Sequence, residues 1–75
     1  MLEKIRDIMT RYVDVEPEEI NEDSKLAEEL GLTSFAVMSM MGDFEEEFGI
    51  TVDESELTDI YTVKDIIDYI EKKQG

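Results

Sequence analysis

The sequence predicts an all-α fold, a small four-helix bundle of three longer helices and one short one with a long first loop. Three observations point there. Four segments repeat apolar residues at three- and four-residue spacing, the period of an amphipathic helix. No stretch alternates polar and apolar residues as a half-buried strand does. The 75 residues suit one domain, expected to span residues 1–75, near the smallest size at which a single core holds together.

The first helix is expected from Leu2 to about Val13, where Leu2, Ile5, Ile8, Met9, Tyr12 and Val13 recur at helical spacing. Val15 to Ser24 is polar and holds the single Pro, so it reads as a long loop with one helical turn at Pro17. Lys25 to Leu30 adds a further short turn, stopped by Gly31. A second long helix starts at Thr33-Ser34 and runs to Phe48. Thr33 is its natural N-cap, and Gly49 its stop. Val37, Met41, Phe44 and Phe48 share one face and are its expected core. Met38, Met40 and Met41 read as core or core-margin residues.

Ile50-Thr51-Val52 is too short for more than a bridge. Leu57 and Ile60 suggest a small third helix between Asp53 and Ile60. Thr62 opens the last helix, with Asp65 three residues on completing a capping box, and Val63, Ile66, Ile67 and Ile70 supply its buried face.

Composition narrows the function. Asp and Glu number 21 against 7 Lys and Arg, a formal charge of −14 that repels nucleic acid and anionic membranes and favours basic partner surfaces. There is no Cys and no His, which removes thiolate chemistry, zinc sites of the usual kind and the commonest general base. No apolar run approaches membrane length, and no signal segment is visible, so a cytoplasmic, monomeric protein without membrane insertion is expected. The acids at 43, 45, 46 and 47 read as a solvated helix face. A calcium loop at Asp53 to Asp59 fails, because Leu57 offers no side-chain oxygen and no Gly stands at the sixth position. The chain is not expected to be an enzyme.

Ser34 stands out by its setting. A Ser beside a helix start usually serves capping, and Thr33-Ser34 satisfies that ordinary role. Yet this Ser follows Gly31 and Leu32 at a junction into a core helix. Free N–H groups and the macrodipole at such an end stabilise an anion by up to roughly 1 kcal/mol on a surface. A hydroxyl there suits covalent attachment of a phosphate-linked group.

Glu29-Leu30-Gly31-Leu32-Thr33-Ser34-Phe35 resembles the attachment motif of acyl carrier proteins. Phe44-Glu45-Glu46-Glu47-Phe48-Gly49-Ile50 resembles the end of that family's second helix, and Thr62 to Ile70 its final helix. The blocks occur in family order and cover essentially the whole chain. The resemblance implies a carrier whose Ser34 receives 4′-phosphopantetheine from coenzyme A through a phosphopantetheinyl transferase. It also implies acyl thioester cargo passed among acyl-transferring or condensing enzymes of fatty-acid, lipid or polyketide-type synthesis. The missing Cys is consistent with this, since the working thiol belongs to the added group. An aminoacyl or peptidyl carrier stays open within the class. A small acidic interaction module on a basic partner is the alternative outside it.

The chain departs from the family pattern near Ser34. Thr33 stands where the family has Asp, and Phe35 where it has Leu. Ala36 and Ser39 replace usual acids, and Gly42 replaces a bulky apolar contact residue. Gly42 reads either as an exposed helical Gly costing about 1 kcal/mol against Ala, or as an opening for close approach of a partner. The expected docking residues are Thr33, Phe35, Met38, Ser39, Gly42, Glu45 and Glu46. Phe35, Ser39, Gly42 and Glu46 fall on one face, neutral until Asp43. These departures suggest a specialised, stand-alone carrier.

Overall fold

A computed structural model describes all 75 residues. It is helical, with α1 at Leu2–Met9, α2 at Ser34–Phe48 and α3 at Val63–Gln74, and with 3-10 helices at Pro17–Glu19 and Glu54–Asp59. The expected all-α bundle with a long first connection is what forms. Its fourth, short member is a 3-10 helix.

The core joins all three α-helices. Ile5, Ile8 and Met9 of α1, Met40, Met41 and Phe44 of α2, and Val63, Ile66, Tyr69 and Ile70 of α3 are buried. The long loop adds Ile20, Leu26 and Leu32, so it is packed along its length. Arg6 Nε donates to Ile20 O at 2.7 Å, fastening loop to helix. Ser24, the buried polar residue, accepts from Asn21 N through its hydroxyl at 3.1 Å.

Boundaries differ from expectation where geometry tightens. The first α-helix ends at Met9 rather than Val13. Arg11 N and Tyr12 N instead reach back three residues, to Ile8 O and Met9 O, in the tighter pattern common at helix ends. The turn at Pro17 is present, as is the stop at Gly31, whose φ of 69° lies in the left-handed region. The single bridge pairs Lys25 with Thr62 in antiparallel sense, not residues 50–52. Around it Leu26 N bonds Tyr61 O at 2.9 Å and Val63 N bonds Ser24 O at 3.1 Å. This seam ties the long loop to the entrance of α3.

Two buried faces also need correction. In α2, Met40 and Met41 are buried with Phe44 as expected, but Val37 and Phe48 are only half-buried and Met38, expected at the core or its margin, is exposed. Phe48 packs its ring 6.1 Å from that of Phe44, at the core margin. Val37 packs against the margin of the core and also lines a groove. In α3, Tyr69 is buried and Ile67 is half-buried. Both α-helices begin as expected: Thr33 accepts from Ala36 N at 3.1 Å, and Thr62 with Asp65 forms the reciprocal capping box.

Candidate functional site

Ser34 is the first residue of α2 and is exposed. Local sequence puts it there. Leu32 is buried and anchors the approach, its N–H bonded to Leu26 O, while Gly31 N reaches Ala27 O to close the preceding turn. Thr33 is extended, φ −82° and ψ 167°, and its hydroxyl holds Ala36 N while its carbonyl holds Val37 N. The helix then begins at Ser34, with the positive end of its dipole beside the hydroxyl. No acid occupies the first turn. In a chain of −14 this is a rare spot favourable to an anion.

Beside Ser34 opens a groove of about 560 Å³, lined on one side by Ser34, Val37 and Met38. Leu57 of the second 3-10 helix, Ile60 and Tyr61 line it from a distant part of the chain, and Leu26 and Leu32 of the long loop line it as well. Eight of its fourteen lining residues are hydrophobic, so an apolar chain entering it would shed water. Its dimensions fall within those of small-molecule sites.

The outer face of α2 is different. Phe35 is 81% exposed, and Ser39, Gly42 and Glu46 are also exposed, four and three residues apart along one stripe. Met38, 43% exposed, borders both this stripe and the groove. Gly42 has open space where a Cβ would point, so no packing demands its smallness. The neutral stretch ends at Asp43, which accepts from Tyr12 Oη at 2.6 Å. That hydrogen bond, followed by desolvation, pushes the Tyr12 phenol above its ordinary range. Glu45 departs from the expected docking set in its orientation: it is half-buried and accepts from Val52 N at 3.1 Å. Thr33 is likewise engaged as the cap.

The sequence places Leu57 and Ile60 in a short helix but does not reveal that they wall a groove beside Ser34. Leu57 and Ile60 carried the only signal, two apolar residues in a segment too short to bury both. A second cluster lies behind that wall. Tyr69 Oη accepts from Asp53 N at 3.1 Å and donates to Glu56 Oε1 at 2.9 Å. Lys73 Nζ lies 2.8 Å from the same Glu56 oxygen and 5.6 Å from the Tyr69 ring centroid. The Lys73 ammonium, then the Tyr69 hydroxyl, hold the Glu56 carboxyl below its usual range.

Comparison with known proteins agrees with this geometry. Residues 3–70 match the family model described as "Phosphopantetheine attachment site". The chain is 40% identical over 72 residues to an acyl carrier protein of Thermotoga maritima, covering 96% of this chain and 89% of that one. It is 35% identical over 71 residues to an acyl carrier protein of Campylobacter hominis, covering 95% and 90%. Among solved structures, one of the acyl carrier protein from Enterococcus faecalis superposes with a TM-score of 0.79 at 26% identity, covering 96% of this chain and 91% of that one.

Proposed function

Because the chain belongs to the phosphopantetheine-attachment family of acyl carrier proteins, whose cofactor is 4′-phosphopantetheine, we propose that Ser34 is its attachment residue and that it carries acyl thioesters between separate enzymes. The observation that carries this is the placement of Ser34: an exposed hydroxyl at a capped, acid-free helix start, on the rim of an apolar groove. These residues fit the group. Ser34 would hold its phosphodiester, the free N–H groups and dipole of α2 would face the phosphate's charge, and Val37, Met38 and Leu57 offer apolar surface to a cargo chain. When bound, the group supplies the thiol that the chain itself lacks. The chain contributes position and recognition, and the chemistry falls to its partners, a phosphopantetheinyl transferase and acyl-transferring or condensing enzymes. No helix is long and apolar enough to cross a membrane.

Incubation with coenzyme A and a broad-specificity transferase, followed by mass spectrometry, tests the assignment. One phosphopantetheine addition is expected on the native chain and none on Ser34→Ala. An addition that survives the substitution, or no addition at all, sinks it and leaves the acidic interaction module as the better reading.

The exposed stripe favours a specialised carrier within fatty-acid, lipid or polyketide-type synthesis. Phe35 projects where partners approach Ser34, Ser39 and Gly42 leave the next turns neutral and smooth, and Glu46 begins the charged part. Such a surface selects a partner that meets the start of α2 with apolar rather than cationic groups. Elongation by a general fatty-acid ketosynthase, run beside a general carrier, is expected to be slower for this chain. Equal kinetics remove the case for specialisation.

A further inference from the structure

The groove's outer wall, Asp53 to Ile60, is a strap. None of the residues of its 3-10 helix is buried, and its apolar member Leu57 is only half-buried, facing the groove. Both ends are fixed. Val52 N is bonded to Glu45 Oε2, and at the far end Tyr61 bonds through its carbonyl to Leu26 N and through its N–H to Asp65 Oδ2. Between these ends, polar ties to α3 converge on one point. Tyr69 Oη holds both Asp53 N and Glu56, and Lys73 holds Glu56 from the other side. Glu56 does not line the groove, whereas Glu54, Leu57 and Thr58 on the same strap do. The node therefore pulls the wall from behind, on the face away from any cargo.

We propose that the Tyr69–Glu56–Lys73 node sets the width of the groove and thereby the length of acyl chain that this carrier shelters. Tyr69, Glu56 and Lys73 are positioning residues that determine cargo length, and the assignment rests on the reading that Ser34 bears the cargo. The physical logic is a balance. A longer chain must displace Leu57 and Thr58 outward, and that displacement opposes the hydrogen bonds and ion pair at Glu56. Removing them lets the strap yield without touching a residue that contacts the chain. Apart from Leu57, every residue of Glu54–Asp59 is exposed, and so little burial gives the segment the low local stability that such movement requires.

The test loads native, Tyr69→Phe and Glu56→Gln holo-proteins with saturated acyl groups of increasing length and measures thioester cleavage by hydroxylamine at each length. Tyr69→Phe keeps the buried ring, and Glu56 sits on an exposed segment, so folding is checked by helicity and melting in both. The native protein is expected to protect best at one chain length. In both variants the best-protected length moves upward, with long chains cleaved about threefold more slowly than on the native carrier, the effect of one lost hydrogen bond of modest net strength. A merely structural role lowers protection at every length and leaves the optimum in place, which overturns the proposal, as does an unchanged profile. Absence of length-dependent protection in the native protein overturns the groove as a cargo site and this proposal with it.

Discussion

The two halves of α2 do opposite work. None of its first six side chains, Ser34 to Ser39, is buried, and none is acidic. From Met40 onward the same helix buries Met40, Met41 and Phe44 and carries Asp43, Glu45, Glu46 and Glu47. The second half is a foundation packed on α1 within the core that α3 shares. The first half projects from that foundation between a groove and open solvent, with its start fixed by the Thr33 cap. A helix transmits this rigidity because its backbone hydrogen bonds run unbroken from one half to the other. The difference teaches that the burden of folding falls on one half of a single element and leaves the other free for the recognition proposed above.

The largest test of that division is Phe44→Ala. Truncating a fully buried aromatic should cost about 3–5 kcal/mol, enough to unfold much of so small a domain. Chemical denaturation measures it, and a loss under about 1 kcal/mol would show that α2's second half is not the foundation. Next comes the hinge between loop and helix. Thr33→Ala should cost about 1 kcal/mol by denaturation, because Ala36 N loses its acceptor. At the boundary between the halves, Gly42→Ala should raise stability by about 0.5–1 kcal/mol, since the site is helical, exposed and open. If that variant also slows charging or transfer, partners approach the backbone there. Unchanged kinetics make Gly42 an ordinary exposed position.

Acid should act on the strap more than on the core, and more weakly than these substitutions, because the pair at Glu56 is solvent-screened. The Glu56 carboxyl is held low by Lys73 and then Tyr69. Its contribution is therefore complete above the ordinary glutamate range and is lost as pH falls through its lowered folded value. The protection of the Asp53 and Ser55 amides against hydrogen exchange, relative to the unstructured rate at the same pH, should fall in that acid window before protection within α1. Simultaneous loss would make strap and core one cooperative unit. The smallest effect on folding belongs to Phe35→Ala. With the ring 81% exposed, stability should change by less than about 0.5 kcal/mol, while partner transfer rates fall. A large stability loss would place Phe35 in the foundation after all.

What was legible in the sequence was local. The Thr33 cap, the Gly49 stop and the Thr62–Asp65 capping box are written in residues three or four apart, and each took the expected geometry. The stripe of α2 was read partly amiss because periodicity says which residues turn inward, not what they meet. Val37 meets a groove as well as the core margin, and Met38 turns to the surface. The Glu54–Asp59 segment is too short for its 3-10 geometry to register as a period. The Tyr69–Glu56–Lys73 node spans separations of 13 and 17 residues between helices, and no spacing rule encodes such a meeting. The place of Ser34 at a helix start was legible through its neighbours' chemistry, but the groove at its side was not, since its walls join residues 25–38 to the distant stretch 54–62.

The bare first turns of α2 bear on how such a protein changes over generations. Positions 35, 38, 39 and 42 carry little of the burden of folding, so substitutions there meet little purifying pressure from stability. On the docking reading proposed above, selection on partner choice acts on these positions almost alone. A gene copy could acquire a new clientele through a handful of surface changes, with its core inherited intact.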